Sequence, residues 1–329
     1  MSGPSFRYIR AARLDDALSQ GARQGATYLA GGADLLPLWK AGLAAPTEVI
    51  DISRLPLSQV SYAGDALAVG ALARLSDVSA HPVVKRHHPM IAEAILASAS
   101  GQVRNLATIG GNLLQRTRCT YFRTDGLACN KRDPGSGCGA RRGESRHAAL
   151  FGGSVGCVAT HASDLAVALA ALDAEISCRG LTGERRLALQ DLYPLPGATT
   201  APDTSLADGE MITAVHIDGA ARFAAQSTYL KVRDRASFEF AVVSVAAALR
   251  IERGVIAEAR LAAGGVAPLP WRLGRSEAAL IGRAPTGEAF ALAGELAVEG
   301  ATPLAGNAFK VPLLHNAVIR ALQTVGEGS

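Results

Sequence analysis

Four of the chain's five cysteines crowd into one stretch: Cys119, Cys129, Cys138 and Cys157, with nine, eight and eighteen residues between them. Thiolates select zinc or iron–sulfur centres. Structural zinc sites are built on tight C-x2–4-C pairs, and this stretch has none. Loosely spaced cysteines on an irregular, glycine-rich loop suit a cubane 4Fe–4S cluster, which takes four Cys ligands and leaves backbone N–H groups free to bond its sulfides. Disulfides are the competing use of four thiols. They belong to exported chains with small cores, whereas this chain has 329 residues, 49% of them apolar, enough for a sizeable core. Cys178 falls in a strand-like run and reads as a structural thiol.

The same stretch is basic. From Gln115 to Cys157 there are eight Arg or Lys and three acids, a local balance of +5 in a chain whose total is +4. These cations can offset the charge of a ligated cluster, or face a phosphate, a nucleic acid or an acidic partner. A solvated loop has the same look. Aromatics are only 5% of the chain, which leaves little to stack on exposed bases and argues against a nucleic-acid partner.

Two glycine pairs form the second candidate constellation. Ala30-Gly31-Gly32-Ala33-Asp34 sits between a strand-like and a helix-like segment, and Thr108-Ile109-Gly110-Gly111-Asn112 lies in a second such turn. Paired glycines let a ligand approach the backbone and aim several N–H groups one way. A following helix adds partial positive charge, so a diphosphate fits. An ordinary tight turn is the plainer reading of either pair; two of them in separate units point to a dinucleotide held between the units. Neither loop is G-x-G-x-x-G, and no G-x-x-x-x-G-K-[ST] occurs, so a standard Rossmann site and a P-loop are not supported.

The elements that must position these residues are legible in outline. Phe6–Ile9, Thr27–Leu29 and Val49–Ile52 read as strands, and Arg13–Gly21 and Asp34–Gly42 as helices, an α/β alternation over residues 1–60. Leu67–Gly70 reads as a strand, Leu75–Asp77 as a helix start and Pro89–Ala99 as a buried helix of small residues. Residues 115–157 show no period and read as an inserted loop, of a length that is usually functional or disordered. Asp164–Leu172 reads as a helix with Asp164 as its cap, Ala174–Arg179 as a strand, and Leu192–Pro202 as a Pro- and Gly-rich connection. Thr228–Val232 and Val255–Leu261 read as strands, and Phe240–Leu249 as a buried helix or strand. The division expected is 1–60, 61–220 carrying the insertion at 115–157, and 221–329 as a C-terminal α+β domain. Apolar runs such as Leu165–Leu172 are too short to span a bilayer, and the N-terminus lacks the apolar core of a secretory signal.

The motifs together resemble the FAD-binding subunit of the molybdenum hydroxylases, the family of xanthine dehydrogenases, carbon monoxide dehydrogenase and aldehyde oxidoreductases. The resemblance rests on Ala30–Leu36, Ala107–Asn112, Ser163-Asp164-Leu165 and Tyr229-Leu230-Lys231, and it covers nearly the whole chain. Most members lack a cysteine insertion. This one is similar to that of the flavin subunits of bacterial periplasmic aldehyde oxidoreductases, and more distantly to that of 4-hydroxybenzoyl-CoA reductase. The resemblance implies an α+β class, with a two-subdomain, PCMH-like FAD-binding fold followed by a C-terminal α+β domain. It implies that Leu29, Ala30, Gly31, Gly32, Ala33, Asp34, Leu35 and Leu36, with Thr108, Gly110, Gly111 and Asn112, hold the FAD diphosphate and ribose. Asp164 matches a carboxylate that bonds the cofactor, Lys231 a lysine near the isoalloxazine, and Ile212 or Met211 a backbone contact. A helix cap and a surface charge are the plain alternatives for Asp164 and Lys231. The four cysteines would ligate a 4Fe–4S cluster.

By the same resemblance the chain carries electrons from the 2Fe–2S clusters of a small partner subunit to FAD and on to an external acceptor. A large molybdenum-cofactor subunit oxidises the aldehyde, and no catalytic acid or base is expected here. The basic loop is expected to face a partner. The chain would be cytoplasmic, or periplasmic by co-export with a signal-bearing subunit. Flavin subunits of hydroxybenzoyl-CoA reductase-like or xanthine dehydrogenase-like enzymes are the near alternatives. A free-standing flavin oxidase is the distant one; such enzymes often attach flavin through a His in the first loop, and Leu29–Leu36 has none.

Overall fold

The computed structural model describes residues 5–198 and 202–326. Residues 199–201 of the expected Pro- and Gly-rich connection lie outside them.

The chain opens with β1 (Arg7–Arg10), α1 (Leu14–Gly21), β2 (Ala26–Leu29), α2 (Leu35–Lys40) and β3 (Glu48–Asp51). The strands form a parallel sheet of order β1-β3-β2. Parallel neighbours need a crossover, and the β2–α2–β3 crossover carries the first glycine loop at its head. A small core of Ala17, Leu18, Ile50, Ile52 and Leu55 lies beneath it.

Next come β4 (Val60–Ala63), β5 (Ala66–Gly70), α3 (Leu75–Ala80), α4 (Pro82–His87), α5 (Pro89–Ala97), α6 (Gly101–Arg104), α7 (Ile109–Leu113) and α8 (Thr120–Arg123). Then follow α9 (Asp164–Ala171), β6 (Glu175–Gly180), β7 (Gly183–Ala188) and β8 (Met211–Asp218). These strands build an antiparallel sheet, β4-β5-β8-β6-β7, whose central strand is the last in sequence. A bulge at Ser177/Cys178 shifts the register of β8. Met211 packs into the N-terminal core and Ile212 into the second, so the head of β8 is the seam between the two. The Tyr28 hydroxyl fastens that seam by donating to the Gly209 carbonyl at 2.7 Å.

The last third is a sheet of order β12-β11-β10-β9 made by β9 (Ser227–Val232), β10 (Val243–Glu252), β11 (Val255–Gly264) and β12 (Trp271–Arg272). It is covered by α10 (Gly274–Leu280), α11 (Gly287–Ala297) and α12 (Lys310–Gly326). Alternate residues of β10 serve two cores: Ala246 and Ala248 face the second, Val245, Ala247 and Leu249 the third. The stretch open to either helix or strand is therefore a strand buried on both faces. Among the described residues no helix is long and apolar enough to cross a membrane.

Candidate functional site: two glycine loops and a four-cysteine segment

The first glycine loop leaves the end of β2 and turns into α2. Gly32 takes a left-handed φ of +70°, the conformation glycine adopts without steric cost. At Gly31 the constraint is crowding: a Cβ there would lie 1.8 Å from the carbonyl oxygen of Leu106. The first loop thus rests directly on the backbone that leads into the second. Among the described residues, the backbone N–H groups of Gly31 to Asp34 meet no protein acceptor. They are the donors an anionic ligand would use.

The second loop is built differently. The N–H of Ile109 donates to Ala73 at 2.9 Å and that of Gly110 to Ala71 at 2.8 Å. Thr108 caps α7, its hydroxyl accepting from the Gly111 N–H at 3.2 Å. Gly110 lies close over Ala71, whereas a Cβ on Gly111 would meet only the Thr108 hydroxyl. The loop is a stitched floor with one open face at Gly111. Asn112 joins it to the next element, accepting from Ser163 at 2.5 Å.

Ser163, and not Asp164, caps α9: its hydroxyl accepts from the Ala166 N–H at 3.0 Å. Asp164 is freed for other work. It is buried, accepts from the Tyr229 hydroxyl at 2.6 Å and pairs with the Lys231 ammonium at 2.8 Å. Lys231 also donates to the Ala97 carbonyl at 3.1 Å. Burial pushes the Asp164 carboxyl up, against the pull of Lys231 and Tyr229. The two sequence-predicted polar residues are thus brought together as a buried ion pair, so neither a cap nor a surface charge describes them. Asp164 also lines a cleft of about 250 Å³ between the insertion and the β9–β10 loop, with Arg118, His147 and Phe240.

Asp34 divides its groups: its N–H stays with the unbonded donors of the loop, while its side chain leaves the loop. Its carboxylate turns to the insertion: it accepts the Arg116 N–H at 2.9 Å, Arg118 at 2.5 Å and Arg123 at 3.2 Å. No motif pointed to these arginines as partners; their density near Asp34 exists only after folding. The other cations of the insertion are mostly spent inside the chain as well. Arg116 and Lys131 pair with Asp203, Arg132 donates to the carbonyls of Tyr121 and Phe122, Arg141 to Ser154, and Arg146 to Asp234. The +5 segment is therefore largely neutralised or pinned from within, while Arg141 and Arg142 stay exposed.

The insertion is irregular, as expected, apart from α8 and a single turn at Gly139–Arg141. It brings Cys119, Cys129, Cys138 and Cys157 to the lining of one cavity, with Lys131 and Phe122 among its walls. Cys129 and Cys138 face each other in a backbone bridge, and all four are free thiols. Asn130 folds the turn between them, its side-chain oxygen accepting from Gly135 and Gly137. Burial pushes Cys157 up to about 11 and also raises Cys119, so burial disfavours both bare thiolates. Lys131 pulls Cys157 the other way, and the Ala159 N–H donates to its sulfur at 3.5 Å. Among the described residues no three His, Cys, Asp or Glu side chains converge on a single metal ion. A cubane spreads its ligands over four irons and needs no such convergence. Four thiols around one cavity, with the Ala159 N–H aimed at one sulfur, fit the ligand set a cluster would need.

Known proteins match the chain along these lines. The model of the FAD binding domain in molybdopterin dehydrogenase matches residues 4–217, and that of the CO dehydrogenase flavoprotein C-terminal domain residues 227–325. The aldehyde oxidoreductase FAD-binding subunit of Escherichia coli is 44% identical over 84% of this chain and 86% of its own length. The glyceraldehyde dehydrogenase medium chain of Sulfolobus acidocaldarius is 29% identical over 86% of this chain and 83% of its own. Among solved structures, carbon monoxide dehydrogenase of Hydrogenophaga pseudoflava superposes with a TM-score of 0.77 at 26% identity, covering 100% of this chain and 99% of its counterpart. The chain belongs to the FAD-binding subunits of the molybdenum hydroxylases, a family of oxidoreductases.

Proposed function

We propose that this chain is the electron-carrying flavoprotein subunit of a molybdenum-dependent aldehyde oxidoreductase, and that it holds a 4Fe–4S cluster beside FAD. The reaction partners are a large molybdenum-cofactor subunit, where the aldehyde is oxidised, a small 2Fe–2S subunit that delivers electrons, and an external acceptor. The aldehyde assignment draws on the Escherichia coli relative. The observation that carries the cluster is the gathering of Cys119, Cys129, Cys138 and Cys157 around one cavity.

In this reading the unbonded N–H groups of the first loop hold the FAD diphosphate, and the open face at Gly111 lets it lie close. Leu29, Leu35 and Leu36 flank it, and the backbone of Ile212 at the seam completes the groove. FAD supplies two-electron uptake and one- or two-electron release, which the protein positions and tunes. Asp164 and Lys231 keep a fixed pair of opposite charges near the ring. Neither residue needs to transfer a proton to the substrate.

Visible spectroscopy with iron, sulfide, zinc and flavin assays on the anaerobically purified chain tests this. The expected result is about four irons and one FAD per chain. FAD without iron removes the cluster and keeps the flavin subunit. Zinc without flavin overturns both.

A further inference from the structure

We propose that Asp34 is a positioning residue that couples the four-cysteine segment to the first glycine loop, so that cluster loading and FAD binding strengthen each other. The inference rests on the cluster reading above. Three observations carry it.

The first is the direction of the Asp34 side chain. It stands at the head of α2, inside the loop that would hold the diphosphate, yet its carboxylate is filled by donors from residues 116–123. Cys119 lies within that run, and its N–H donates to Thr117 at 3.2 Å. Arg123 also closes the run on itself by donating to the carbonyls of Thr117 and Arg116. Charge supports this geometry. A carboxylate facing a diphosphate would repel it, whereas here two arginines offset the carboxylate and leave the loop's N–H groups unopposed.

The second observation is packing. Leu38, one turn along α2, forms a small apolar cluster with Phe122 and Cys129, and Cys119 and Tyr121 pack against it. Two candidate ligands therefore belong to the apolar cluster that holds the helix the glycine loop begins. The third is the absence of slack on the other side, where Gly31 abuts the Leu106 carbonyl. A shift of the cysteine segment has to move the loop or break the Asp34 contacts.

Linkage makes this coupling reciprocal: whatever factor the cluster adds to FAD affinity, FAD adds to cluster retention. In the full chain, FAD is removed and rebinding is followed by flavin fluorescence quenching, before and after the cluster is stripped with chelator and ferricyanide. Iron and sulfide are assayed on every sample. Stripping is expected to weaken FAD binding about tenfold in the native chain, and by no more than about twofold in Asp34→Asn. If the Asp34 side chain touched the cofactor itself, Asp34→Asn would weaken binding by the same factor in both states, which overturns the proposal. So does an iron-loaded native chain whose FAD affinity ignores stripping. A native chain without iron or sulfide sinks the cluster reading and this coupling together. Arg118→Gln, which removes one of the donors, must collapse the ratio in the same way and serves if Asp34→Asn does not fold.

Discussion

The two glycine loops carry the same Gly-Gly pair and meet backbone to backbone, but they do opposite things with their N–H groups. The first keeps them unbonded and is propped from outside by arginine donors on its own Asp34 carboxylate and by the Leu106 carbonyl. The second spends its own on the segment that follows β5 and on a threonine cap. A shared motif therefore marks two roles: one loop supplies donors, the other a rigid floor that lets a ligand come close.

The largest effect is expected behind the floor. Asp164→Ala leaves the Lys231 ammonium buried without its counter-ion, and breaking such a pair costs about 3–5 kcal/mol. Urea denaturation should show that loss together with loss of FAD. A cost under about 1 kcal/mol would mean the floor is not held by this pair. Gly31→Ala should follow, since the new methyl collides with a carbonyl that cannot yield. Overpacking of this kind costs about 1–3 kcal/mol, and the chain should purify without yellow colour. Thr108→Ala removes a cap and should cost about 1 kcal/mol, while FAD titrations change little. A tenfold loss of affinity there would make the hydroxyl part of the site and erase the contrast. The smallest effect on stability belongs to Gly111→Ala, within about 0.5 kcal/mol of the native chain. Its FAD affinity should nevertheless fall, because the methyl occupies the open face. Unchanged affinity would take the second loop out of the cofactor's path.

Much of this was legible in the sequence wherever one face is wet and the other dry. The N-terminal strands and helices and α5 fall within a residue or two of their expected places, and α9, buried on every side, was read instead from the polar residue at its start. Legibility failed where that contrast is missing. β10 is buried on both faces, so alternation was absent and helix or strand stayed open. β7 is an exposed edge strand of polar residues and gave no signal. β8 hid behind its bulge: Ile212, Val215 and Ile217 all point inward, and the extra residue between the first two breaks the period of two. At the site, residue types and spacing found the cysteines, the glycines, Asp164 and Lys231. They could not find the Asp34–Arg118–Arg123 clamp, because such partners are set by a fold that brings residues more than eighty positions apart into contact.

The position of β8 has a consequence for how the molecule is made. The sheet beside the cysteine segment is closed by its last-synthesised strand, at Met211–Asp218. A ribosome adding about 5–20 residues per second needs roughly 3–12 s to travel from Cys157 to the end of that strand. During those seconds all four thiols exist on a nascent chain whose neighbouring sheet lacks its centre. The lining of the cysteine cavity, Thr117 to Ala159, is already present on the nascent chain by then, so what these seconds withhold is the centre of the sheet and not the walls of the cavity.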